Sequence, residues 1–196
     1  KSRSRGLGDV YKRQEAAGLP TAKGSSEPIA SADVASALAD EIGYPVIIKA
    51  AAGGGGIGMQ IVEKADEFEG ALKLCQSRAK SAFGDERVFV EKYIQGAQHV
   101  EFQVLADGKK AIHFGERFCS IQRRHQKLVE EGPWLSDEKR AEIGALVCKG
   151  AEAVGYKGLA TFEFLRDANG DFYFLEVNPR VPVSYTHLRA HETSTY

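Results

Sequence analysis

Cysteine is scarce in this sequence: three residues in 196, at positions 75, 119 and 148. They are odd in number, far apart and in no metal-ligand spacing, which excludes a disulfide framework and a cysteine-built zinc site and predicts reduced thiols. Long apolar runs are also missing. No stretch reaches the roughly 18 apolar residues of a membrane span and none reads as a secretory leader, so the expectation is a cytoplasmic protein with no membrane role. Positive charge is not in surplus either. With 26 Lys+Arg against 27 Asp+Glu, the net charge of −1 lacks the basic footprint of a nucleic-acid partner. What is present is 43% hydrophobic residues and 21 glycines, enough apolar material for the core of one or two domains.

The ends differ from the middle. Residues 1–14, KSRSRGLGDVYKRQ, carry a net +4, and 182–196 are neutral, which leaves −5 between them. Neither end has hydrophobic periodicity. GDVYKRQ and PVSYTHLRAHET resemble translated sequencing-adapter read-through, so 1–14 and 182–196 are expected to be foreign to the fold; the alternative is a basic arm and a polar tail. His187 and His191 have metal-like i, i+4 spacing but lie in that tail and are not taken as ligands.

Between the ends, hydrophobic patterning predicts an α+β chain. Ser31 is an N-cap for a helix over 32–42, stopped by Gly43. VIIKA (46–50) and MQIVE (59–63) are strands flanking the glycines. A helix over 66–80 puts Phe68, Ala71, Leu72 and Cys75 on one face. A short strand follows at 87–91. In 99–105, His99, Glu101 and Gln103 face one way and Val100, Phe102 and Val104 the other. ADGKK turns that strand into a partner at 111–117. Ser136 caps a helix to about Val154, and strands at 159–165 and 172–177 are joined by the turn RDANGD.

Gly53, Gly54, Gly55, Gly56 and Gly58 crowd the first hairpin, with Lys49 at its base. Gly53, Gly55 and Gly58 match G-x-G-x-x-G, but the dinucleotide form needs a helix directly after the loop, and here a strand follows. The pattern is a strand–loop–strand flap. Bare backbone N–H groups can close over phosphates while Lys49 adds a point charge; a ligand-free hairpin tip is the plainer possibility. Further on, Glu176 and Asn178 share a strand face, Arg180 follows, and the last hairpin brings Glu163 alongside. Two carboxylates and an amide oxygen suit Mg²⁺, and on an otherwise apolar sheet they call for a cation; a Glu176–Arg180 ion pair is the alternative. The basic run QRRHQK (Gln122–Lys127) fits anion binding in a site, or simply a solvated charge run.

Taken in order, the glycine flap, EKYI (91–94), HVEFQVLADG, ERFCSIQRRHQKLVEE, TFEF and FLEVNPR closely resemble the biotin carboxylase component of biotin-dependent carboxylases, which has an ATP-grasp fold. The resemblance runs from about Glu15 to Arg180. It implies a lid subdomain at 15–92 and part of the central ATP-binding domain at 93–181. It implies that Lys49 and the glycine loop contact ATP phosphates, and that Glu91, Lys92, Tyr93 and Ile94 form the hinge at adenine. His99 and Gln122 would contact ribose, His125 would sit near the nucleotide, and Leu165 would pack on adenine. Glu163, Glu176 and Asn178 match the family's metal ligands. Lys127 and Arg180 match the residues that hold bicarbonate and stabilise the transferring carboxyl group. The implied cofactors and substrates are ATP, Mg²⁺ or Mn²⁺, bicarbonate and biotin on a carrier. The implied partners are a biotin carboxyl carrier domain or protein and a carboxyltransferase, in a parent that can be a homodimer.

The chain departs from the family pattern after Arg180. Ser184 stands where the family carries the glutamate that deprotonates bicarbonate, and a serine does not act as a base near neutral pH without one of its own. The expectation is an inactive fragment of an active ATP-dependent ligase. The alternatives are another ATP-grasp ligase of the carbamoyl-phosphate type, or a nucleotide-binding module without catalysis.

Overall fold

The computed structural model describes residues 18–52, 58–123 and 126–178; at Ser120, Gln122, Arg123, Gln126, Lys127 and Leu128 it describes the backbone alone. The expectations for Gly53–Gly56, His125, Arg180 and Ser184 lie outside the described residues. Among those described, the chain forms two compact units, one of residues Ala22–Ile94 and one of 18–21 with 95–178.

The first unit is a three-stranded antiparallel sheet in the order β2-β1-β3, built from β1 (Val46–Ala50), β2 (Met59–Val62) and β3 (Val88–Lys92). Two helices, α1 (Ala32–Ile42) and α2 (Ala65–Phe83), supply its core. Period-2 alternation turns Val46 and Ile48 of β1 onto Ala35, Ala39, Phe68, Leu72 and Cys75, and so turns Ile47 and Lys49 to the opposite face. The Ser31 hydroxyl accepts from the Val34 N–H at the start of α1, and Gly43, at φ +79°, ends it. Helix α2 runs to Phe83 rather than Lys80. Its stop is Gly84, left-handed at φ +74°, whose N–H reaches the Lys80 carbonyl, so glycine chemistry and not the last core contact sets the end.

The second unit is a five-stranded sheet in the order β6-β5-β4-β7-β8. Its strands are β4 (Gln98–Asp107), β5 (Ala111–Arg123), β6 (Gln126–Glu131), β7 (Lys157–Arg166) and β8 (Phe172–Asn178), with helix α3 (Asp137–Ala153) between β6 and β7. Every neighbouring pair is antiparallel. Both foreseen hairpins close on an aspartate. Asp107 Oδ1 accepts from the N–H groups of Lys109 and Lys110, and Asp167 Oδ1 accepts from those of Asn169 and Asp171, the local capping that makes aspartate a turn former. Strand β5 is longer than the pattern predicts, and β6 has no clear alternation to announce it.

One face of this sheet is covered by α3. Val100, Phe102, Val104, Ala160, Phe162, Phe164, Phe172 and Phe174 pack with Ile143, Val147 and Ala151 in one core, and Phe164 meets Phe174 edge-on at 5.5 Å. The loop before α3 is fastened by Glu116, whose fully enclosed side chain accepts from the Trp134 and Leu135 N–H groups at 2.8 and 2.7 Å and from Arg140 Nε at 2.7 Å. Burial works to raise this carboxyl, but the Arg140 guanidinium and the two backbone donors outweigh it and hold it down to about 2. No helix among the described residues is long and apolar enough to cross a membrane.

Candidate functional site

In the first unit, the face of the sheet away from the helices carries Lys49 and Glu91. Cross-strand register pairs Ile47 with Glu91 and Lys49 with Phe89, so Lys49 and Glu91 are diagonal neighbours on that face, and Lys49 Nζ lies 2.5 Å from Glu91 Oε2. Glu91 is buried and seated against Gly24, where a Cβ would come within 2.7 Å of Glu91 Cγ. The Lys92 ammonium is engaged elsewhere: it donates to the Gly43 and Tyr44 carbonyls at the end of α1. The Tyr93 N–H donates to the Pro45 carbonyl, and Ile94 closes the unit.

Gly58 ends the glycine run with φ +77°, and a Cβ there would meet Ala50 Cβ at 2.8 Å. Its carbonyl accepts from the Ala50 N–H at 2.9 Å and from the Cys75 thiol at 2.8 Å. The sequence marks Cys75 only as a core position of α2; nothing in its spacing signals that it ties off the loop.

In the second unit, the sheet face opposite α3 gathers the acidic residues. Glu163 on β7 is the direct partner of Glu176 on β8 and of Glu101 on β4, and His99 is the partner of Leu165. His99 Nε2 stands 2.7 Å from Glu163 Oε2. Asn178 Nδ2 bridges both acids, donating to Glu163 Oε1 at 2.8 Å and to Glu176 Oε1 at 3.0 Å. Glu163 is buried, while Glu176 is exposed and Leu165 and Asn178 are half-buried, so the cluster opens at the β8 edge. The set suits a divalent cation: rotating the amide half a turn brings an oxygen, in place of the Nδ2 donor, beside two carboxylates. Gln122 and Lys127 are cross-strand partners on the β5–β6 hairpin.

Behind the acids lies a residue the sequence did not single out. Arg117 on β5 is the cross-strand partner of Glu101. Its Nε donates to Glu101 Oε1 at 2.8 Å, its terminal nitrogen donates to the same oxygen, and Nε also lies 3.3 Å from Glu130 Oε2. The alternation of β4 places Glu101 beside His99, but only the register of β5 shows which cation answers it.

The family described as "Carbamoyl-phosphate synthase L chain, ATP binding domain" matches residues 9–191, a span that overlaps both ends set apart above. A pyruvate carboxylase subunit of Methanothermobacter thermautotrophicus is 50% identical over 177 residues, 89% of this chain and 36% of that protein. A biotin carboxylase–beta-gamma-ATP complex from Campylobacter jejuni superposes with a TM-score of 0.85 at 48% identity, covering 91% of this chain and 41% of that one. The biotin carboxylase domain dimer of Hydrogenobacter thermophilus 2-oxoglutarate carboxylase, in complex with MgADP, ADP and bicarbonate, also gives 0.85, at 43% identity over 91% of this chain and 40% of that one. The chain thus spans roughly two fifths of the length of these relatives.

Proposed function

The chain belongs to the family of the carbamoyl-phosphate synthase L chain ATP-binding domain and has the ATP-grasp fold of its biotin carboxylase neighbours, and from that premise we propose that it is the nucleotide- and metal-binding part of a biotin carboxylase. The parent enzyme carboxylates biotin at the expense of MgATP and bicarbonate. The observation that carries the reading is the pairing of Glu163 with Glu176 across the β7–β8 ladder, with Asn178 bridging both carboxylates. The carbamoyl-phosphate alternative is not favoured, since the relatives named above are biotin carboxylases and a pyruvate carboxylase component.

In this reading Lys49 and the backbone of Gly53–Gly56 and Gly58 hold the ATP phosphates, and Glu91, Lys92, Tyr93 and Ile94 line the adenine hinge. His99, Gln122, His125 and Leu165 complete the nucleoside contacts. Glu163, Glu176 and Asn178 hold Mg²⁺ or Mn²⁺, which supplies positive charge to the phosphate oxygens. Lys127 and Arg180 hold bicarbonate. Bicarbonate oxygen attacks the γ-phosphorus and ADP leaves, giving carboxyphosphate; this breaks down to CO₂ and phosphate, and N1′ of biotin adds to the CO₂ as its proton passes to the phosphate. Catalysis of that kind rests on positioning and on cations that neutralise spreading charge. The setting is cytoplasmic, the carrier and carboxyltransferase are the partners, and the parent pairs as a homodimer. With Ser184 in place of the base, this chain binds nucleotide without turning it over; bicarbonate-dependent ATP cleavage by the purified 196-residue chain would overturn that.

The test is Mn²⁺ binding in the presence of ATP, followed by electron paramagnetic resonance. Glu163→Gln and Glu176→Gln should each weaken it about tenfold or more, while metal-free ADP binding stays near the wild-type value. Unchanged Mn²⁺·ATP affinity in both variants would sink the proposal.

A further inference from the structure

The acids of the second unit form a row across the sheet. Register places Arg117 opposite Glu101, Glu101 opposite Glu163, and Glu163 opposite Glu176. Two members of this row, Glu101 and Glu163, and His99 two residues along β4 each bring one ligand atom within 4.8 Å of the others. Donors on one metal ion, at bonds of about 2.0–2.2 Å, stand roughly 3 Å or slightly more apart. A small inward movement would therefore close these three around an ion. One imidazole and two carboxylates are a borderline set, and such a site prefers Co²⁺, Zn²⁺ or Cu²⁺ to Mg²⁺ by the ordinary order of divalent affinities. That preference conflicts with a site that must take Mg²⁺ with nucleotide.

We propose that Arg117 is the specificity-determining residue of this face: by holding the Glu101 carboxylate it keeps Glu101 from joining His99 and Glu163 as a third ligand for a borderline metal, and leaves the cation to the hard-oxygen set Glu163, Glu176 and Asn178. The inference rests on the cation role proposed above for Glu163. Two features support it. Arg117 donates twice to one oxygen of Glu101, from Nε and from a terminal nitrogen, so the lone pairs of that oxygen are engaged by N–H donors and the carboxylate is anchored to β5. The guanidinium is charged at every working pH, and at this position it repels a second cation. Arg117 is itself buried, and its Nε also lies 3.3 Å from Glu130 Oε2 on β6, a second carboxylate that helps hold it in place. Arg117 is a positioning residue: it touches neither nucleotide nor metal and acts through Glu101.

The experiment is a Co²⁺ titration of the nucleotide-free 196-residue chain, read by the visible d–d absorption of bound Co²⁺, with circular dichroism to check folding. Wild type and Arg117→Lys should show weak binding. Arg117→Gln should bind Co²⁺ about tenfold or more tightly, and adding Glu101→Gln to it should abolish the gain. If Arg117→Gln does not fold alone, Co²⁺ or Zn²⁺ should restore its helical signal and a cooperative melt. A folded Arg117→Gln with wild-type Co²⁺ affinity, a gain that survives Glu101→Gln, or an unfolded variant that metal does not rescue would each overturn the proposal. The Mn²⁺·ATP measurement on Glu163→Gln and Glu176→Gln reports separately on the functional reading: its failure with the Co²⁺ gain intact would remove the Mg²⁺ role and leave Arg117 as the guard of a borderline site.

Discussion

The Cys75 thiol and the Ala50 N–H converge on one acceptor, the Gly58 carbonyl, at 2.8 and 2.9 Å. A side chain from helix α2 thereby fixes the downstream foot of the glycine run. Cys75→Val keeps the apolar volume and removes the donor. It should cost about 1 kcal/mol, the typical net value of one hydrogen bond, and speed amide exchange at Gly58 and Met59. Denaturant unfolding and hydrogen exchange check the two effects. Burial pushes the Cys75 thiol up to about 11, so at pH 8 Cys75 should resist iodoacetamide until the chain unfolds.

The Glu116 carboxyl predicts an acid limit to stability. Its folded value is depressed from 4.5 to about 2. Its contribution is therefore complete above the ordinary carboxylate range and is lost as pH falls from about 4.5 through about 2. Glu116→Gln should cost roughly 1–3 kcal/mol at pH 7 by leaving Arg140 and the loop N–H groups poorly matched. Its stability should also fall less steeply than wild type over that acid window, as urea melts at stepped pH will report.

Lys49 and Glu91 give a graded expectation for nucleotide binding. Lys49→Met removes the charge and should weaken MgATP binding on the order of tenfold or more. Glu91→Gln keeps the lysine charge and the hinge backbone but loosens the ammonium, and should weaken binding less. Calorimetric titration distinguishes the two, and equal losses would argue that the Glu91 carboxylate, beyond its place in the hinge, acts on the ligand directly.

Helix α3 approaches β5 closely at Gly144, where an added Cβ would run into the His113 imidazole. Gly144→Ala should destabilise by about 1–3 kcal/mol through overpacking. Trimming the ring with His113→Ala should recover part of that loss, visible as a non-additive double-mutant cycle.

The elements with strong local chemistry were legible in the sequence: Ser31 and Ser136 as caps, Gly43 as a stop, and the aspartate turns at 107 and 167. The α+β class followed from alternation and hairpin logic. The Glu163–Glu176–Asn178 grouping was foreseen, but strict alternation would set Glu163 opposite Leu175 and turn Glu176 to the face of Phe172 and Phe174; a register shift between Glu163 and Phe164 brings Glu176 opposite Glu163 instead. Strand β6 did not follow from alternation, because QKLVEE carries its two apolar residues side by side and shows no period of two. Arg117 did not either, since cross-strand partnership between β4 and β5 passes through a register shift between Phe102 and Val104 that no local pattern announces. Cys75 has a role set by a carbonyl 17 residues away, and apolar spacing carries no trace of it.

The strand order β6-β5-β4-β7-β8 bears on how the second unit assembles. All of its strand pairs but one join chain neighbours. The exception is β4 with β7, whose partners run from Gln98 with Arg166 to Asp107 with Lys157. Forming that seam closes a long loop before any contact repays the entropy, so it is the kinetic bottleneck of the sheet. Substitutions at the seam, such as Val104→Ala, should slow refolding. Substitutions along the outer strand β6 should instead hasten unfolding and leave the refolding rate nearly unchanged.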